Sequence, residues 1–346
     1  MNIQAGVLAD KLRQTRVAIG SQVALLGLVA ALLAVILRTR RWPTVLGAGA
    51  AAAVAGAVVA LPPLAVDAYP TTYLRPTVTY TAGSIVDGGE VFRGQCAVCH
   101  GEHGYGDGPA ASGLRPRPAD LTARHTADHT AGDMFWWLTH GIPGSAMPGF
   151  ADRLSVDQRW DVINLIRILA SAEQARRMGP EITPVPGLVG PDFTYTRGVG
   201  EARNLKDYRG QRIVILVLFT LPGSGPRLSQ LQAAYGPLVR AGAEVLGIPV
   251  QPGRNIYRDL GDRLVAFPIA VDGAAEAAEA YRRLRPEPED PAPDHLEFLI
   301  DRQGYVRARW SPTQGEGWSD PARLVAQVQR LASEPERAPA PAEHVH

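Results

Sequence analysis

The only two cysteines of this 346-residue chain lie three positions apart, in Cys96-Ala97-Val98-Cys99-His100. A disulfide framework of the secreted kind needs more thiols, so one local feature must account for both. Three chemistries use such a pair. A thioredoxin-type dithiol would follow a hydrophobic strand, and the segment before Cys96 is not one. A zinc site would need a second ligand pair, and there are no more cysteines. The third is the C-x-x-C-H attachment of a c-type haem. The thiols form thioethers to two vinyl groups, and the next imidazole lies under the iron as proximal ligand.

The elements around the motif favour the third. Ser84 reads as the N-cap of a helix over Ile85–Val98 that delivers the cysteines. Gly101-Glu-His-Gly-Tyr-Gly-Asp-Gly-Pro109 follows, and its glycines let backbone pass close to a flat ligand. Met134-Phe-Trp-Trp-Leu138 reads as a short helix leading into Gly141-Ile-Pro-Gly-Ser-Ala-Met-Pro-Gly-Phe150. Most methionines fill cores, but Met147 sits in a tight Gly/Pro loop that would hold its thioether rigidly. It is the expected distal ligand, with His140 second; His103, His125 and His129 read as solvated loop histidines. A helix over Ser155–Ser171 closes the region. Ser155 and Gln158 form a capping-box pattern, and Trp160, Ile163 and Ile166 recur at helical spacing as core.

Residues 83–172 resemble the class I cytochrome c family in the helix before Cys-x-x-Cys-His, the Met-Pro-Gly-Phe loop and the closing helix. The resemblance implies an all-α domain with one low-spin, covalently bound haem c, and His100 and Met147 as iron ligands on opposite faces. It also suggests Arg115, Arg117, Trp136 and Trp137 as holders of the propionates, or, for the arginines, simple solvation.

Upstream, Val17–Leu37 and about Val45–Val66 are apolar runs of membrane-spanning length, and residues 1–70 read as a two-helix membrane anchor. Late start, length and the immediate second run argue against a cleaved signal peptide. The arginines of Arg38-Thr-Arg-Arg-Trp-Pro43 place that loop in the cytoplasm and the rest of the chain outside, although Lys11, Arg13 and Arg16 argue the other way. The expected location is the inner (cytoplasmic) membrane, with the later domains in the periplasm, where families with c-type haem attach it. Asp67-Ala-Tyr-Pro-Thr-Thr-Tyr73 also resembles the end of the copper-resistance protein D membrane domain.

Residues 173–187 read as a linker, and 188–333 as an α/β domain. Arg212–Phe219 is a buried strand, followed by a helix over Pro226–Ala241, a strand at Glu244–Val250 and a helical stretch to Val265. Then come a strand at Phe267–Val271, a helix over Ala274–Leu284, a hairpin of His295–Asp301 with Tyr305–Trp310, and a helix from Asp320 to Leu331. This is a mixed sheet with covering helices. The order, with Phe298-Leu-Ile-Asp-Arg-Gln-Gly304, resembles the thioredoxin-like superfamily, nearest its TlpA/redoxin and Sco copper-chaperone branches. Where those carry reactive cysteines this chain has Phe219-Thr-Leu-Pro-Gly-Ser-Gly-Pro226, and thiol–disulfide exchange needs a thiolate. His295 falls either at the redoxin turn proline, a structural role, or near the Sco copper histidine. The tail, 334–346, is expected to be disordered; His344 and His346 in it are further copper ligands to consider.

With 35 basic and 34 acidic residues the net charge is +1, and no long single-sign run suggests nucleic acid as a partner. The expectation is therefore a membrane-anchored electron carrier, not an enzyme, serving redox partner proteins in the membrane or periplasm. The alternative is an accessory protein of copper handling or oxidase assembly, working with a copper-handling membrane partner.

Overall fold

The computed structural model describes residues 3–38, 40–61, 69–183, 188–196, 201–251, 256, 260, 265–284, 295–336 and 338–340. The chain divides into two units, Met1–Tyr69 and Pro70–His346.

The first unit is a helical pair, α1 (Ile3–Leu37) and α2 (Trp42–Ala60). Glycines let the two backbones touch: a Cβ on Gly27 would lie 2.5 Å from the Ala53 nitrogen, and one on Gly56 2.4 Å from that of Ala24. Thr15–Leu37 and Trp42–Ala60 are each long and apolar enough to cross a membrane. Leucines such as Leu26, 68% exposed, face outward from the pair. The expected end of the second span, residues 62–66, lies outside the described residues.

The second unit opens with the helices that resemble a cytochrome: α3 (Ala82–Gln95), α4 (Ala97–His100), α5 (Ala131–His140), α6 (Val156–Ala170) and α7 (Ala172–Arg176). The N-cap of α3 is Thr81, not Ser84; its hydroxyl accepts from the Ser84 N–H at 3.2 Å. Ser84 is used for packing instead. Its hydroxyl donates to Asp161 at 2.7 Å and accepts from the Asn164 amide at 2.8 Å, tying α3 to α6. The helices cross at Gly88, where a Cβ would stand 2.1 Å from the Asp161 carbonyl oxygen. The capping box of α6 forms as the sequence predicts, and Trp160, Ile163 and Ile166 are buried, with Phe135 stacked on Trp160 at 4.4 Å.

A five-stranded mixed sheet follows: β1 (Leu188–Val189), β4 (Ile213–Phe219), β5 (Ala243–Pro249), β6 (His295–Ile300) and β7 (Tyr305–Trp310), ordered β1-β7-β6-β4-β5. The small strands β2 (Thr194–Tyr195) and β3 (Arg203–Asn204) pair separately. β4 runs parallel to β5 and antiparallel to β6. Every residue of β4 is buried, as a continuous apolar run requires of a central strand. Helices α8 (Gly225–Arg240) and α10 (Pro321–Ala332) cover one face, through Leu228, Leu231, Leu324 and Val328. α9 (Ala274–Arg282) covers the other. The expected strand at 267–271 reduces to one bridge, Gly247 with Ile269.

The two parts of this unit are not beads on a string. Ile85 and Phe92 of α3 and Leu165 and Ile168 of α6 share one continuous core with Tyr281 of α9 and Leu216 and Phe298 of the sheet. Asp192 joins them through backbone, its N–H donating to Tyr80 at 3.2 Å and its carbonyl accepting from Ala82 at 2.8 Å. Of the expected linker, 173–187, residues 173–176 belong to α7, 178–183 run along β7, and 184–187 lie outside the described residues. Met178 and Ile182 are buried, Arg309 donates from its backbone to Gly179 at 2.9 Å and Thr183 to Arg307 at 2.9 Å. The start of the tail is pinned rather than disordered: Glu334 pairs with Arg307 at 2.9 Å, and Ala340, buried, donates to Gln303 at 2.7 Å.

Candidate functional site

Cys96 caps the single-turn helix that ends in His100, so both thiols and the imidazole issue from one short stretch. Cys96 is buried and Cys99 partly exposed, and both are free of disulfides. Burial pushes the Cys96 thiol up to about 11, with Cys99 adding to the effect. An exchange thiol needs the opposite shift, because the thiolate is the nucleophile. The loop after His100 folds back on the motif. Gly106 donates to the His100 carbonyl at 2.9 Å, Gly108 to Cys99 at 3.1 Å and Ala110 to Val98 at 2.9 Å. Gly101 turns it with φ +75°, and a side chain there would collide with Asp107.

The ring of His100 is oriented by a backbone group, its Nδ1 lying 3.0 Å from the Ala119 carbonyl oxygen. A carbonyl only accepts, so Nδ1 carries the proton and Nε2 keeps its lone pair. Burial lowers the His100 pKa, against the opposing pull of that hydrogen bond, so the ring stays neutral at neutral pH. A neutral imidazole whose other nitrogen donates to a carbonyl is the form that ligates metals. Met147 lies in the loop after α5, half-buried against the core of Met134, Leu138, Phe150 and Trp160. The loop is closed by the pairing of Gly141 with Pro148 and by Ile142 donating to the Met147 carbonyl at 3.2 Å. A Cβ on Gly141 would lie 2.6 Å from that carbonyl, so the tight turn requires glycine there. The residues present thus fit a c-type haem: two unpaired thiols, an oriented neutral imidazole and a rigidly looped thioether.

Residues 85–170 match the family model described as cytochrome c. They form a cytochrome c domain. Residues 186–309 match the AhpC/TSA family and form a thioredoxin-like domain. A curated relative, a glutathione peroxidase of Lactococcus lactis, is 25% identical over 160 residues, 40% of this chain and 97% of that protein. Among solved structures, a thiol:disulfide interchange protein from Bacteroides is similar at 16% identity and a TM-score of 0.33, over 44% of this chain and 93% of that one. The mitochondrial 2-Cys peroxiredoxin of Plasmodium falciparum is similar at 17% identity and a TM-score of 0.34, over 45% and 100%.

These findings correct one expectation. The expectation that the chain is an electron carrier and not an enzyme is overturned: its C-terminal domain matches the AhpC/TSA family and resembles a glutathione peroxidase, which points to peroxidase or thiol oxidoreductase activity. That domain has no cysteine of its own. At the carboxyl end of β4 it has a cleft of about 310 Å³ lined by Phe219, Thr220, Leu221, Pro222, Pro249 and Gln251.

His295 begins β6 opposite Phe219 and is 5% exposed. Its Nε2 lies 2.8 Å from Glu297, which is gripped on both oxygens by Arg227 at 2.6 and 3.0 Å. Burial alone would raise the Glu297 pKa; the His295 and Arg227 hydrogen bonds overcome it and hold the carboxyl below its ordinary range. Sequence reading named His295 but missed its partner Glu297 and the Arg227 that grips Glu297. No group of three or more His, Cys, Asp or Glu that would hold a metal occurs among the described residues. His344 and His346 lie outside them. Of the expected propionate holders, Arg115 is exposed and bonded to the Ser112 and Leu114 carbonyls, and Arg117 is exposed.

Proposed function

We propose that this protein is a membrane-anchored c-type cytochrome that passes single electrons on the outer, periplasmic face of the inner membrane. Cys96 and Cys99 would hold one haem covalently, and His100 and Met147 would ligate its iron. The group supplies a one-electron couple; the chain orients and buries it. The Nδ1–Ala119 hydrogen bond carries the reading, because it leaves Nε2 of His100 free and fixed. The Ala119 hydrogen bond raises the basicity of the ring, and the backbone-closed Gly/Pro loop would hold the Met147 thioether in place. The two apolar helices support anchoring, and the thioredoxin-like domain, sharing a core with the haem helices, supplies a rigid body for docking redox partners.

The test is the full-length protein purified from membranes. Covalent haem by pyridine haemochrome, a low-spin oxidised spectrum and reversible one-electron titration are expected. A protein without covalent haem would end the proposal.

A second reading follows from the cleft at the end of β4. There the C-terminal domain takes part in peroxide or disulfide reduction, with the thiol supplied by a partner. Peroxide consumption by the purified protein should then require an added thiol and fall when Thr220 and Gln251 are replaced by leucine.

A further inference from the structure

The second unit begins with a turn at Pro70–Tyr73, closed by the Leu74 N–H donating to the Thr71 carbonyl at 2.8 Å. The turn is fixed to the first residues of α5. The Thr71 hydroxyl donates to the Gly132 carbonyl at 2.6 Å, and the Thr72 hydroxyl donates to the Asp133 carboxylate. The two backbones touch there: a Cβ on Gly132 would lie 1.6 Å from the Thr71 carbonyl oxygen.

This turn faces the wrong way for water. Its polar side chains, Thr71 and Thr72, bond to α5, while Tyr73 is 90% exposed and Leu74 45%. Arg75, next in the chain, is exposed as well. Among the described residues after Tyr69, the other exposed large apolar side chains are Val98, Ile142 and Val156, one at a time, which is ordinary for a protein surface. Tyr73 and Leu74 are adjacent and stand on a backbone already held in place. Covering them therefore costs little further ordering.

The chain itself indicates what covers them. α2 ends at Ala60, and the ten residue steps from there to Pro70 reach at most about 36 Å. With α2 crossing a bilayer, the turn stays within that reach of the end of the span. The three side chains suit the bilayer surface. A tyrosine ring sits at headgroup level, with its hydroxyl toward water. Leucine reaches the boundary of the acyl chains, and arginine is drawn to phosphate and to anionic lipid.

We propose that Tyr73, Leu74 and Arg75 seat the cytochrome c domain on the phospholipid headgroups of the bilayer that holds the two apolar helices. This rests on the anchoring reading above. The seat orients the domain as well as confining it. α5 joins the seat to the Met147 loop, and its ten residues span roughly 15 Å. The start of that loop is therefore kept within about that distance of the seat. A domain mounted in this way offers a fixed side to redox partners embedded in the same membrane.

The experiment uses the full-length holoprotein in vesicles of phosphatidylethanolamine and phosphatidylglycerol. The vesicles are doped with a phospholipid that carries a diazirine at the boundary of headgroup and acyl chain. After illumination, lipid adducts are mapped by mass spectrometry. Adducts are expected on the two apolar helices and on the peptide that contains residues 73–75, and not at Glu316, equally exposed to water in the C-terminal domain. Replacing Tyr73 and Leu74 together by aspartate should abolish the adducts at 73–75 and leave those on the helices and the haem spectrum unchanged. The wild-type map carries the test by itself if that variant fails to accumulate. Adducts on the helices with none at 73–75, or an undiminished yield there in the aspartate variant, would overturn the proposal. A protein with no adducts on either helix would defeat the anchoring reading instead, so the two failures are distinct.

Discussion

The Nδ1 of His100 stands 3.0 Å from the carbonyl oxygen of Ala119, nineteen residues along the chain. The loop between them returns because Gly106, Gly108 and Ala110 bond back to the motif, so the ring's orientation is set by backbone. No side chain needs to be present at position 119 for this. Ala119→Ser should therefore leave the spectrum and potential of the holoprotein unchanged. A large shift in either would mean that the residue acts through its side chain.

Met147 makes the complementary prediction. Its loop is closed by Gly141, Ile142 and Pro148 through backbone groups, so the loop should survive loss of the thioether. Met147→Ala should retain covalent haem, become high-spin when oxidised, and bind carbon monoxide when reduced. Met147→His should restore a low-spin spectrum at a lower potential, because Met/His ligation raises it. Unaltered low-spin haem in Met147→Ala would move the distal ligand elsewhere.

The packing of α3 predicts cooperative unfolding. Phe92 and Ile85 lie in one core with Tyr281 and Phe298 of the thioredoxin-like domain. Denaturation followed by haem absorbance and by Trp fluorescence should therefore give coincident transitions. Gly88→Val should shift both together, by at least about 1–3 kcal/mol, because its side chain meets the Asp161 backbone. Separate transitions would show independent domains.

Much of this architecture was legible in the sequence, and what was missed shares a physical cause. Periodicity found α6 through Trp160, Ile163 and Ile166, and the apolar run of β4 announced a central strand. Local spacing also exposed the motif at Cys96 and the capping box at Ser155. Contacts distant in sequence left no local mark. The Ala119 carbonyl is a backbone atom in an irregular loop. Ser84 looked like an N-cap because its partners, Asp161 and Asn164, lie on another helix. Met178 to Thr183 looked like a linker because it is rich in Pro and Gly, although it follows β7. Arg167 in a helix and Glu297 in a strand carry charge, which usually lies outside, so nothing local marks either as buried.

Glu297 gives the sharpest test of such a buried position. It is fully enclosed, holds Arg227 on two oxygens and accepts from His295. Removing its charge leaves the Arg227 cation buried and unpaired, so Glu297→Gln should cost about 3–5 kcal/mol at neutral pH, measured by urea unfolding. Replacing Arg227 and Glu297 together with methionine should recover most of that loss, since apolar groups leave no charge stranded. The pH dependence has a definite sign. The folded carboxyl has a pKa below its unfolded value of about 4.3. Its stabilisation is therefore present above that unfolded pKa and is lost as pH falls through the lower, folded one. The gap between wild type and Glu297→Gln should be constant from neutral pH down to about 5 and then narrow. A gap that widens on acidification would mean that the carboxyl is protonated in the fold, and that the bond to His295 is one between neutral groups.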